Sequence, residues 1–201
     1  MNDAPLQPTI DPVQLLKDEH RVIEKVLHAL EWMVEQHRFD EGVFRMALDF
    51  LKTFADACHH AKEEVVLFPY LQPDARTVPG GQIGSLLEEH QRGRKLIQRM
   101  QAKMDGAVRG DKGAESAILA AAGEYISLLR KHICFEDNLV FNEAAARMTP
   151  NDRARMLADY EKAEIEQGVR GQCDRYLAVA NEIWSRVGSM IPHPLGAVRR
   201  S

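Results

Sequence analysis

His59-His60-Ala61-Lys62-Glu63 and, later in the chain, His132-Ile133-Cys134-Phe135-Glu136 each place a glutamate four residues after a histidine. A step of four on an α-helix returns to nearly the same face, so each pair sets an imidazole beside a carboxylate. Backwards from His59 the same stripe holds Ala55, Leu51, Leu48 and Phe44, and forwards it holds Glu63 and Val66. Apart from the pair itself that face is apolar and is predicted to point into a core. The adjacent register, His60 with Glu64, lies about 100° further round and shares its stripe with Asp49, Thr53 and Asp56, so it is expected to face water. His132 and Glu136 lie on a stripe with Tyr125, Leu128, Leu129, Leu139 and Val140. His90 sits among Ile83, Leu86, Leu87 and Ile97, and His20 among Val13, Leu16, Ile23 and Leu27.

Working outward, the whole chain reads as helix broken by Pro, Gly and Asp. Residues 1–10 form a polar leader, and Asp11-Pro12 supplies an N-cap with proline at the first helical position. The first helix runs to about His37. Asp40 caps a second, which Pro69 should end or kink. Residues 72–81 are a loop by composition. The third helix covers about Ile83 to Ala107 and the fourth about Ala114 to Met148, separated by the turn at Arg109–Gly113. Thr149-Pro150 opens a fifth helix to about Val187, and residues 188–201 read as a loose tail. The fold expected is all-α: an antiparallel four-helix up-down bundle over residues 11–148, with one additional C-terminal helix over 149–187. That helix, through Met156, Leu157, Tyr160, Ile165, Val169, Tyr176, Leu177 and Trp184, packs against the bundle or, as a homodimer, against a second copy.

Four such helices aim four imidazoles and two carboxylates at one interior point. Without a cation that set would carry a large burial penalty. A metal removes it, because neutral imidazole and ionised carboxylate are then satisfied as ligands. Bundle cores are also where carboxylate-bridged two-metal sites are built. The candidate ligands are therefore His20, His59, Glu63, His90, His132 and Glu136. Mixed imidazole and carboxylate donors suit Fe, Mn or Zn, whereas a structural zinc cage would more often use cysteine.

Composition excludes several other classes. Of 201 residues 45% are hydrophobic and 28% charged, with a net charge of −4, as in an ordinary globular protein with no general attraction for nucleic acid or anionic lipid. No apolar run approaches the ~20 residues needed to span a bilayer. The first residues show no basic stretch followed by an apolar one, so no secretion signal is expected. Cys58, Cys134 and Cys173 are odd in number and widely spaced. They are expected to be thiols, Cys58 and Cys134 small and buried, in a cytoplasmic protein.

The runs Asp18-Glu-His20, His59–Pro69, Leu86–Arg94 and His132–Asp137 together resemble the hemerythrin-like, or HHE cation-binding, domain family. The resemblance covers about residues 11 to 148. It implies two iron ions, oxo- or hydroxo-bridged, with Glu63 and Glu136 as bridges, His20 and His59 on one iron, and His90 and His132 on the other. It also implies a small diatomic or peroxide partner such as oxygen, peroxide or nitric oxide. The oxygen-carrying members have a further histidine one turn after the third-helix ligand, where this chain has Arg94, which cannot ligate. That departure argues against durable oxygen carriage. It is closer to the pattern of bacterial iron-sulfur repair proteins and eukaryotic iron-sensing hemerythrin domains.

Several neighbours keep two readings at this level. Glu24 is a partner of His20 or a solvated residue. Arg94 neutralises an anion near the site or faces outward. Tyr125 donates to a bound oxygen species or packs in the core. Asp137 is an alternative to Glu136, although its own stripe runs through Arg130. Three function classes fit: a protein that binds or senses a small species, an enzyme that consumes one or supplies iron for cluster repair, and an interaction module with a structural metal.

Overall fold

The computed structural model describes residues 10–71 and 80–188, which are all helix and connecting turn. The leader at 1–9, the loop at 72–79 and the tail beyond 188, with His193, lie outside the described residues. Six helical units follow one another: α1 (Pro12–Glu35), α2 (41–71), α3 (Gly80–Val108), α4 (112–147), α5 (Pro150–Glu166) and α6 (Cys173–Gly188).

Their starts are set by the residues that the sequence marks. The Asp11 carboxylate accepts hydrogen bonds from the Val13 and Gln14 amides, and Asp40 and Asp111 cap α2 and α4 in the same way. Thr149 and Asp152 form a reciprocal capping box with Pro150 in the first turn of α5.

Two helices are not α-helical throughout. In α2, Leu51–His60 and Glu63–Leu67 have π-type hydrogen bonding, and in α4 so does Glu136–Val140. These wider turns occur where the candidate ligands lie, a frequent location for π-bulges. The second of them also carries α2 past Pro69 to Leu71, beyond the proline expected to end or kink it. A π-turn immediately before proline leaves less call on the amide that proline lacks.

The apolar residues form two clusters. One holds Leu27, Leu30, Phe44, Phe54, Ile97, Met100, Ile118 and Leu129 among others. The other holds Val13, Leu16, Leu67, Phe68, Ile83, Leu86, Val140 and Phe141. Each of the first four helices passes from one cluster to the other, and its candidate ligands fall at the crossing. The result is a thin polar layer between two greasy ones.

The single fifth helix expected from the sequence is two helices. Gly168 and Gly171 adopt positive φ (70° and 71°) in the turn between them, a conformation that glycine reaches without strain. α5 places Met156 and Tyr160 in the second cluster, and α6 places Tyr176, Ala180, Ile183 and Val187 in the first. Both therefore pack against the bundle of their own chain.

The expectation for the cysteines is corrected too. Cys58 and Cys173 form a disulfide with a Cα–Cα distance of 6.3 Å, tying α2 to the first residue of α6. Cys134 is free and exposed rather than buried. Nothing in the local sequence marks 58 and 173 as partners, because the α5–α6 turn is what returns residue 173 to α2.

Candidate metal centre

His20, His59, Glu63, His90, His132 and Glu136 all reach the polar layer, and all are buried. Their donor atoms form two groups that share Glu63. In each group the atoms lie within 4.8 Å of one another: His20, His59, Glu63 and Glu136 in one, and His60, Glu63, His90 and His132 in the other. The Nε2 atoms of His59 and His90 approach opposite oxygens of Glu63, at 3.3 and 3.5 Å. Those of His20 and His132 approach Oε2 of Glu136, at 3.4 and 3.2 Å. Both carboxylates therefore stand between the two groups.

His60 corrects the expectation that its register faces water. It is only 4% exposed and its ring stacks on that of His90 at 3.9 Å between centroids. The stripe argument assumed an α-helical step, whereas residues 51–60 bond i→i+5. A wider turn reduces the angle between successive residues, and both His59 and His60 come inward. The signal available in the sequence was the doubled histidine itself, with Asp56 one turn before it.

The outer nitrogens explain how the rings are held. Each Nδ1 has a carboxylate partner: Asp137 for His20 at 2.8 Å, Glu19 for His59 at 2.9 Å and Asp56 for His60 at 3.4 Å. Glu64 serves His90 at 2.7 Å and Glu89 serves His132 at 2.8 Å. This is the carboxylate–histidine–metal pattern, in which the outer partner fixes both the ring orientation and the tautomer. With the proton on Nδ1, as metal binding would require, every Nε2 would turn a lone pair inward. The Nε2 atoms of His90 and His132 face each other at 2.9 Å. Nε2 of His20 and His59 and all four oxygens of Glu63 and Glu136 are buried without a hydrogen-bond partner. Such a buried cluster of imidazole nitrogens and carboxylate oxygens demands positive charge, from protons or from metal. Two cations fit these residues.

Protonation gives the same result. Burial pushes the His59 imidazole down, but the Glu63 charge and the bond from Glu19 outweigh it and raise it to about 10. Burial is likewise outweighed at His132, by Glu136 and Glu89, and that group also rises to about 10. Burial raises the Glu136 carboxyl, yet His132 and His20 hold it well below the usual carboxylate range. His60 goes the other way, pushed well below its ordinary value by burial and by the charge of His90. Positive charge is thus favoured on His59 and His132, beside Glu63 and Glu136, and disfavoured on His60.

The residues with two readings now separate. Asp137 does not replace Glu136 but sits outside it, on His20 and Arg21. Glu24 is a surface residue paired with Arg21. Arg94 takes the inward reading: its guanidinium lies 2.7 Å from Asp56 and 2.8 Å from Glu64, the carboxylates that hold His60 and His90. The Tyr125 hydroxyl is buried without a hydrogen-bond partner, and Asp56 and Arg94 are the charges that act on it. His28 is remote, beside Glu31 and Trp184. Sequence reasoning missed His60, Glu19, Glu89 and Lys62. The last is a lysine 2% exposed between Glu19 and Glu164.

The comparisons point to a cation-binding domain. Residues 11–144 match the hemerythrin HHE cation binding domain. An uncharacterized protein of Mycobacterium bovis is 26% identical over 162 residues, covering 78% of this chain and 62% of that protein. Uncharacterized proteins of two Mycobacterium tuberculosis strains match to the same extent, 26% over 162 residues. The chain therefore spans 62% of the length of these curated relatives. No solved structure matches it. Among the described residues no helix is long and apolar enough to cross a membrane. The domain match takes in every residue of the converging imidazole and carboxylate cluster, and the chain belongs to the hemerythrin HHE cation-binding family.

Proposed function

We propose that the chain is a non-haem di-iron protein that binds, senses or processes a small species such as oxygen, peroxide or nitric oxide. The observation that carries this reading is the set of buried Nε2 and carboxylate oxygen atoms, all acceptors, in two groups that share Glu63. His20 and His59 would hold one ion and His60, His90 and His132 the other, with Glu63 and Glu136 bridging. Bridging carboxylates in a helical bundle favour iron or manganese over zinc. An antiparallel up-down arrangement of α1–α4 is part of the proposal. It is supported by the order in which each helix meets the two apolar clusters: α1 and α3 pass in one sense, α2 and α4 in the other.

When bound, the metals would supply Lewis acidity and one-electron chemistry. The chain's own residues orient the imidazoles, balance charge and keep bulk water away. Three imidazoles serve one half and two the other, so the His20–His59 half has fewer protein donors and is where a small species would bind. Without His60, each half would have had two imidazoles. Anaerobic loading with ferrous iron should give about two ions per chain. Optical titration with oxygen, peroxide and nitric oxide then identifies the species. A stoichiometry of one, or zinc retained in preference to iron, would count against the reading.

A further inference from the structure

We propose that α5 takes part in the metal centre: Glu164, acting through the buried Lys62, positions the imidazole of His59 and thereby sets the affinity of the His20–His59 half. The inference rests on the di-metal reading above.

Lys62 lies on α2 between the candidate ligands His60 and Glu63, yet it points away from them. Its Nζ is 2.5 Å from Oε1 of Glu19 and 2.8 Å from Oε1 of Glu164. The other oxygen of Glu19 is the one that holds Nδ1 of His59, at 2.9 Å. A continuous line of contacts thus runs Glu164–Lys62–Glu19–His59, from α5 to a nitrogen ring facing the metals. Burying an ammonium costs several kcal/mol unless it is well paired, and replacing such a group by an apolar one is often neutral or stabilising. Stability alone therefore gives little reason for a lysine here, whereas orienting Glu19 does.

Three of the other four outer carboxylates are held by cations in a different way. Asp137 is countered by Arg21 of α1, and Asp56 and Glu64 by Arg94 of α3, all within residues 11–144. Glu19 alone is held by a cation whose second partner comes from beyond that segment. Without Glu164, Lys62 is free to follow Glu19. Without Lys62, Glu19 and Glu164 become like charges with nothing between them.

The test uses Co(II) titration of the full chain, with its visible absorption reporting coordination and a chelator competing for the ion. Lys62→Met and Glu164→Gln should weaken one of two binding steps by about 10- to 100-fold, the usual effect of losing an outer-shell partner, and leave the other unchanged. Lys62→Arg should restore part of the loss. Lys162→Met, on the exposed face of the same helix, should do nothing. In a His59→Ala background the effect of Glu164→Gln should vanish, since the residue through which it acts is gone. Equal weakening of both steps, no weakening, or an undiminished effect in that background overturns the proposal while the two-ion stoichiometry stands. Failure of the unaltered chain to bind two ions overturns both.

Discussion

The two halves of the centre are built by different rules. The His60–His90–His132 half is economical: one guanidinium, Arg94, spans the carboxylates behind two of its three rings. The His20–His59 half has two rings, and each outer carboxylate has its own cation, Arg21 for Asp137 and Lys62 for Glu19. On the proposed reading His60 of α2 would give the first half a third imidazole, while α3 offers Arg94, which cannot ligate. Arg94 and His60, on two different helices, thus meet through one carboxylate, Asp56.

The sharpest test of the two-half description is the residue common to both. Glu63→Ala should abolish binding at both, reducing iron from about two ions per chain to none, whereas His60→Ala should leave about one. Metal analysis after anaerobic loading checks both. If His60→Ala retains two ions with unchanged affinity, the ligand set is six and the halves are alike.

Arg94→Leu is expected to act next most strongly. It leaves Asp56, whose carboxyl is held at about 2 by His60 and Arg94 against the effect of burial, beside Glu64 with no cation between them. Metal affinity in the three-histidine half should fall about 10- to 100-fold, and in the other half stay as it was. Uniform loss in both would mean that Arg94 supports the bundle rather than two of its rings.

The pH dependence separates metal-free from loaded protein. His59 and His132 titrate at about 10 in the metal-free fold against an ordinary value of 6.5. Their protonation stabilises that fold fully below the lower value and is lost as pH rises towards the upper one. Metal displaces both protons, so its binding strengthens over the same range. The Tm difference between loaded and metal-free protein should therefore widen from about pH 6.5 to about pH 9. A constant difference would show that the rings are already unprotonated.

The smallest effect expected is at Glu24. It lies one turn from His20 but pairs only with Arg21 at the surface, so Glu24→Gln should change neither stoichiometry nor affinity. Its neighbour Asp137 should matter more, and Asp137→Asn should weaken the two-histidine half alone.

Much of this was legible from periodicity. Side chains at helical spacing mark the four long helices and the buried faces that carry the six candidate ligands, because burial repeats with the turn. His60 was not legible by that rule, since the rule supposes a uniform helix and the chain changes its hydrogen bonding at the site. The signal for the break in the C-terminal region is Gly168 and Gly171, a pair that the apolar spacing across residues 149–187 does not register. Lys62 could not be read at all. Its partners lie 43 residues before it on α1 and far after it on α5, and only tertiary packing brings them together.

The covalent topology adds one last consequence. The bond between Cys58 and Cys173, 115 positions apart, closes the chain between them into a ring. His59, His60, Glu63, His90, His132 and Glu136 all belong to that ring, and His20 is the one candidate ligand outside it. A single backbone cut between those cysteines, at the Gly110 turn for example, leaves two fragments that still travel together. They separate on a denaturing gel only after a thiol is added. In the oxidised chain, six of the seven candidate donors stay covalently joined after any one scission.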